Sequence, residues 1–336
     1  MPSFLIVRLG ALGDIVHALP LAAALRDHWP EARIDWVVEA RHRALLDLVE
    51  GLDGVITFDS RAVVAGDGWV GIARQLRPRK YDVVLDAQGL IKSAAVARAA
   101  GGARTIGFAR EHLREPLARA LYSESVTPRS GAHVVGKTLA LLRALGVEVQ
   151  TPRFRLRHDP PSMRVRAAIG EVGGAFAVVN PGGGWPNKRW PADRFGAVAA
   201  AVHARHGLPS LVLWGPGDRA RGDEVVAASR GAARLAPETN LADVVALMRA
   251  AALVVAGDTG PLHLAAAVGA PIVGIYGPTD PARNGPWADD DECVSRYPVC
   301  TCPFARRCHN PRWCLLDVSV EDVAAATERR LARLAP

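Results

Sequence analysis

Lysine is the scarcest charged residue in this chain: of 41 lysines and arginines, only Lys80, Lys92, Lys137 and Lys188 are lysines. The net charge of +7 is therefore carried almost wholly by scattered arginines. A basic balance suits an anionic partner, whether nucleic acid, an acidic membrane surface or an acidic substrate. Other absences narrow that choice. No dense basic run interleaved with aromatics occurs, which argues against nucleic acid. No apolar run approaches the ~18–20 residues needed to span a bilayer. The opening MPSFLIVRLG lacks a basic n-region and a cleavage site and reads as a first strand, not a signal peptide. The expected location is the cytoplasm, and a basic face could dock peripherally on the cytoplasmic, anionic leaflet of a membrane without any inserted segment. The third glycine of GxGxxG is missing too, and no acidic residue is clearly placed for a ribose after the first helix. Both absences speak against an NAD-dependent oxidoreductase.

The chain has 336 residues, 49% of them hydrophobic, which predicts two domains with ample core. The sharpest composition shift is the proline- and arginine-rich TPRFRLRHDPP that starts at Thr151. It sets the expected boundaries at 1–157 and 158–318, with a terminal helix over 319–336 that could fold back on the N-terminal domain.

One local pattern recurs along the chain: a buried strand, a polar or glycine-rich turn, then a helix. Leu253–Ala256 is a strand, Asp258-Thr259-Gly260 the turn, and Leu262–Val268 a helix with Pro261 in its first turn and Gly269 as its C-cap. Pro271–Tyr276 is the next strand. Such a unit aims free N–H groups and the positive end of a helix dipole at the mouth of the sheet, where a nucleotide phosphate binds well. His263 and the turn Gly277-Pro278-Thr279-Asp280 add polar groups there.

Phe4–Val7 followed by Gly10-Ala11-Leu12-Gly13-Asp14 and a helix to His28 repeats the pattern. The motif alone favours Asp14 as an N-cap; the other role open to it is a carboxylate base. Tyr81–Asp86 leads into a turn carrying Gln88, Lys92 and Ser93, and Phe176–Asn180 leads into Gly182-Gly183-Gly184 and Lys188. Three glycines allow a backbone to approach a ligand closely, and a lysine there offers a point charge to a phosphate. Ser210–Trp214 ends on a turn with Asp218. Arg61 stands in a glycine-containing loop, and Arg110–Pro116 is strongly charged, suited either to a solvated face or to the rim of an anion pocket.

All five cysteines fall between 293 and 314. Cys300, Cys302, Cys308 and Cys314 could hold a structural zinc or iron, with His309 in reserve, although their spacing lacks the usual CxxC pairs. Free thiols in a surface loop are the leading reading.

These pieces together resemble glycosyltransferase family 9. The resemblance rests on VRLGALGDIVHALPL, DWVVEARH, YDVVLDAQGLIKSA, REPLARALY, NKRWPADRF, GDTGPLHLAAA and YGPTDP, in that order over nearly the whole chain. It implies a GT-B fold, two Rossmann-like doubly wound α/β domains facing across a cleft. It further implies inverting transfer of heptose from ADP-heptose to the Kdo region of lipid A in lipopolysaccharide synthesis, with no cofactor or metal required for catalysis. In that reading Asp14 matches the general base, and Lys188 neutralises the leaving diphosphate. Gly13, Gly183, Gly184, Asp218, Asp258, Thr259, Gly260, His263 and Thr279 would surround the nucleotide sugar. Arg61, Gln88, Lys92 and Arg114 would meet the charged acceptor. The competing readings are a family member with another acceptor, such as a later core heptose or a protein, and a nucleotide-sugar-binding protein without turnover.

Overall fold

Short runs rich in β-branched residues become the inner strands of two parallel sheets, each buried on both faces as parallel sheets are. The structure, a computed structural model, describes residues 1–60 and 68–334. Its chain divides into two units, Met1–Arg157 and His158–Pro336. Arg61 lies outside the described residues.

The first unit contains β1 (Ser3–Val7), β2 (Arg33–Glu39), β3 (Gly54–Phe58), β4 (Val83–Asp86), β5 (Arg104–Phe108) and β6 (Glu124–Val126). They form one sheet in the order β3-β2-β1-β4-β5-β6, every pair parallel. The second unit contains β7 (Ala177–Asn180), β8 (Ser210–Val212), β9 (Ala233–Leu235), β10 (Leu253–Gly257), β11 (Ile272–Tyr276) and β12 (Glu292–Ser295). Their order is β12-β11-β10-β7-β8-β9, again wholly parallel. Counted from the first strand of each unit, both sheets read 3-2-1-4-5-6, the doubly wound order. The order reverses beside β1 and β4 in one sheet and beside β7 and β10 in the other. At such switch points the crossovers leave to opposite faces and open a crevice at the strands' C-terminal ends.

The strands β6, β9 and β12 are absent from the sequence reading. Each has three or four residues, and β6, β9 and β12 all lie at or next to a sheet edge. Short edge strands do not need the continuous apolar run that marks a buried one. Trp36 and Trp190 are fully buried, and each indole N–H donates to a backbone carbonyl, of Arg8 and Val318 respectively. The terminal helix Val320–Ala332 places Val323 and Ala326 in the second unit's core. No helix among the described residues is long and apolar enough to cross a membrane.

Candidate active site

In the second unit the turns after β7, β10 and β11 converge on Asp258. This carboxylate is almost wholly buried and receives four side-chain donors. Lys188 Nζ and Thr279 Oγ1 reach Oδ2 at 2.5 and 2.6 Å, while His263 Nε2 and Asn284 Nδ2 reach Oδ1 at 3.0 and 3.1 Å. Four acceptor sites on an ionised carboxylate are thereby filled. Burial alone would raise the Asp258 pKa; the hydrogen bond and charge of His263 and the charge of Lys188 outweigh it and hold the group well below the usual carboxylate range.

The sequence reading put Asp258, His263 and Thr279 around the ligand. The structure brings them together, but as an internal hub: all three are buried, and their polar atoms are directed at one another. Lys188 is the member that faces outward. Its side chain is 15% exposed, against 3% for Asp258, and its ammonium also lies 4.3 Å from the Trp185 ring centroid. Of its three N–H donors, one is committed to Asp258.

Lys188 is placed by its backbone. Its carbonyl packs on Gly257, where a Cβ would stand 3.0 Å from it, so a larger residue at the end of β10 would push the loop back. The neighbouring Asn187 donates to the Ala305 carbonyl at 2.9 Å. Arg189 donates to the carbonyl of Gly183 at 2.7 Å and folds the glycine run inward, while Gly184 is exposed with open space around it. Asp218 lies beside Gly182 and pairs with Arg221 at 3.5 Å. Thr259 is the N-cap residue of the helix Gly260–Ala267 and accepts from Asn180 Nδ2 at 3.1 Å. The first N–H groups of that helix, at the mouth of the sheet beside Lys188, lack intrahelical partners, as at any helix start.

In the first unit Asp14 is not the N-cap. The helix begins at Leu12, three residues earlier than an Asp14 N-cap would place it, with Ala11 as N-cap, so Asp14 is its third residue. Gly13 is the second, and the peptide between Gly10 and Ala11 is cis. One Asp14 oxygen accepts from the Ala11 N–H at 3.2 Å, and the other meets Arg8 Nη2 at 3.0 Å. Arg8 is itself buried and donates through Nη1 to the Ala87 carbonyl at 2.7 Å. The Asp14 side chain stays 41% exposed, oriented but open to solvent.

The neighbouring turn behaves differently from its sequence reading. Gln88 Oε1 accepts from the Leu9 N–H at 2.7 Å and so spends its carbonyl on the backbone. Lys92 forms a 2.7 Å ion pair with Glu39. Burial pushes the Glu39 carboxyl up, but hydrogen bonds from Lys92 and Ser60 outweigh it and leave the pKa lowered. Ser93 turns inward to Asp86, which also accepts from Tyr122 and from the Gln88 and Gly89 N–H groups. Arg114 is exposed.

Sequence reasoning missed Arg8, Glu39, Asn180 and Asn284. Asn180, at the end of β7 just before Pro181 and the glycines, was the one with a readable signal: a polar residue closing an apolar strand.

Four of the five cysteines gather. Cys300, Cys302, Cys308 and Cys314 line one cavity of about 170 Å³, while Cys293 sits apart on β12. Among the described residues, no three His, Cys, Asp or Glu side chains already stand in ligand geometry.

Comparison with known proteins gives the same family that the motifs resemble. The profile of glycosyltransferase family 9 (heptosyltransferase) matches residues 69–314. Lipopolysaccharide heptosyltransferase 1 of Pseudomonas aeruginosa is 30% identical over 89% of this chain and 85% of its own. Among solved structures, the E. coli heptosyltransferase WaaC with ADP superposes with a TM-score of 0.75 at 24% identity, covering 98% of this chain and 99% of its own. A family 9 glycosyltransferase from Veillonella parvula gives 0.79 at 22% identity, covering 99% and 97%. At these identities the structures speak for the fold, and the expected GT-B architecture of two Rossmann-like units is the one found.

Proposed function

The chain belongs to glycosyltransferase family 9, and from that premise we propose that it moves heptose from ADP-heptose to the Kdo region of lipid A, with inversion and without a catalytic metal. It is a glycosyltransferase, a heptosyltransferase of lipopolysaccharide core synthesis. The observation that carries the finer reading is the Asp258 hub, which fixes Lys188 beside a helix N-terminus at the mouth of the second sheet.

In this reading the diphosphate of the donor lies against the loop around Gly183 and Gly184 and the N-terminus at Thr259 and Gly260. Lys188 turns its remaining N–H donors to the leaving oxygen. Charge grows there as the anomeric carbon–oxygen bond breaks, so a fixed cation and fixed N–H groups stabilise the transition state more than the ground state. Asp258 does not touch the donor. It holds Lys188 and cancels part of its charge, and Thr279, His263 and Asn284 hold Asp258. Asp14 takes the proton of the attacking acceptor hydroxyl. With the Arg8 guanidinium 3.0 Å away, it takes that proton late, after the oxygen has gained positive charge.

A second reading keeps the donor and changes the acceptor to a later core heptose. What favours it is the Glu39–Lys92 pair, which removes one of the cations expected to meet a carboxylate-bearing Kdo. The test is a donor and acceptor matrix with purified protein. Product from ADP-heptose with Kdo-lipid A, at a rate that does not change with added Mg²⁺, supports the first reading. Product only with heptosylated acceptors supports the second. Binding of ADP-heptose with no product from any acceptor leaves a non-catalytic binding protein.

A further inference from the structure

The cavity lined by Cys300, Cys302, Cys308 and Cys314 has no role in the transfer reaction proposed above. It lies in a stretch, 300–313, that has no regular helix or strand and mostly exposed side chains. Such a segment buries little apolar surface to set against the entropy lost in ordering its backbone. Yet it is held to a defined course. The Phe304 N–H donates to the Pro278 carbonyl at 2.8 Å, next to Thr279 of the hub, and the Ala305 carbonyl accepts from Asn187, next to Lys188. At its far end the Cys314 sulfur packs beside Gly277, 3.3 Å from where a Cβ would stand. The segment thus touches both turns that carry the outward face of the donor site.

The four sulfurs are drawn to its middle. Cys302 and Cys308 stand 3.1 Å apart and Cys300 and Cys302 4.0 Å apart. In a tetrahedral thiolate site with metal–sulfur bonds near 2.3 Å, neighbouring sulfurs are about 3.8 Å apart. One observed separation is close to that edge and the other is shorter, so the set is gathered but not closed; rotation of the cysteine side chains supplies the difference. His309 is exposed and does not line the cavity, and Asp317, which does, is paired with Arg312 at 2.8 Å; that leaves four sulfurs as the donor set. Four soft ligands around one small cavity select zinc or iron over magnesium or calcium.

We propose that Cys300, Cys302, Cys308 and Cys314 close on one thiophilic divalent cation, zinc or iron, and that this site braces the segment that holds the turns of Asn187 and Pro278. Loading exchanges thiol protons for the cation, with no change of oxidation state. The metal is structural and stands apart from the chemistry of transfer.

The experiment uses the full chain, purified under reducing conditions without chelator. Elemental analysis should find close to one zinc or one iron per chain, and the identity of the element separates the two. After removal by chelator, reduced protein should take up added Zn²⁺ stoichiometrically, and Co²⁺ should give the intense thiolate-to-cobalt absorption of a tetrahedral site. The pair Cys302→Ser and Cys308→Ser should lose the metal and weaken ADP binding about tenfold, while Cys293→Ser, on β12, keeps both and reports on folding. Protein that neither carries metal nor takes up Zn²⁺ overturns the site, as does a Cys302–Cys308 disulfide that persists through purification under reducing conditions. A metal whose removal leaves ADP affinity unchanged overturns the brace. Metal content is read without reference to acceptor or turnover, so this proposal and the proposed reaction fail separately.

Discussion

Lys188 Nζ stands 2.5 Å from Oδ2 of Asp258, the mobile end of a loop lysine fixed on a buried carboxylate at the end of β10. The pair is a structural as well as a chemical unit. Removing one partner of a buried ion pair costs about 3–5 kcal/mol, because the other charge is left unmatched. Lys188 is partly exposed, so Lys188→Ala is expected at the low end, about 3 kcal/mol, in urea unfolding. Its kcat should fall about 10²- to 10³-fold, the loss typical of one transition-state donor. Lys188→Ala combined with Asp258→Asn should cost less stability than the sum of the two singles. Strict additivity would show that the pair does not act as a unit.

The same carboxylate sets an acid limit. Its folded pKa lies below the unfolded value of about 3.9, so its contribution is full above that value and is lost as pH falls through the folded one. Wild-type stability should therefore decline as the solution is acidified below about pH 4. The Asp258→Asn variant, measured by denaturant midpoint over the same range, should decline less steeply. Parallel curves would remove Asp258 from the account.

Asp14 and Arg8 give a prediction for the other unit. Asp14→Ala should abolish transfer while ADP affinity changes less than about twofold; normal turnover would dismiss it as the base. Arg8 orients Asp14 without touching a substrate in this reading. Arg8→Ala should lower kcat about 10- to 100-fold with acceptor KM little changed, and Arg8→Lys should recover part of the loss by keeping the charge while giving up the two-pronged geometry. An effect on KM alone would make Arg8 a binding residue.

Gly107, on β5, offers a test of the fold that leaves the site's charges alone. A Cβ there would stand 2.2 Å from Cε2 of Tyr122, whose hydroxyl donates to the buried Asp86 at 2.7 Å. Gly107→Ala should destabilise the protein by about 1–3 kcal/mol through overpacking, read as a lowered thermal midpoint. Tyr122→Phe leaves the ring in place and removes one donor to Asp86, so a large loss in Gly107→Ala with a small one in Tyr122→Phe would assign the cost to packing.

Much of this was legible in the sequence because the informative residues are local. Gly10 to Asp14, Gln88 to Ser93, the glycines before Lys188, and Asp258 to Gly260 each follow an apolar strand directly, and the crevice of a doubly wound sheet is built from such turns. What stayed hidden depends on pairing across the chain. Asn284 lies 26 positions from Asp258 and Arg8 donates to a carbonyl 79 positions away; no spacing rule links them. Asp258 read as a ligand contact because a strand-end aspartate in a turn gives no sign of how many donors will surround it. Asp14 read as an N-cap because Leu12 and Gly13 carry no helix-start signal, yet both are helical. The cysteines lacked a familiar spacing, and only the course of their loop brings four of them together.

The scarcity of lysine has a practical corollary. Lys92 is paired with Glu39, Lys137 donates to the His112 carbonyl at 2.6 Å, and Lys188 is held by Asp258, whereas Lys80 is exposed. An amine-acylating reagent therefore meets a chain with four side-chain targets, three of them engaged. Peptide mapping after brief labelling becomes a direct footprint, in which protection of the single peptide bearing Lys188 reports occupancy of the donor site without any assay of turnover.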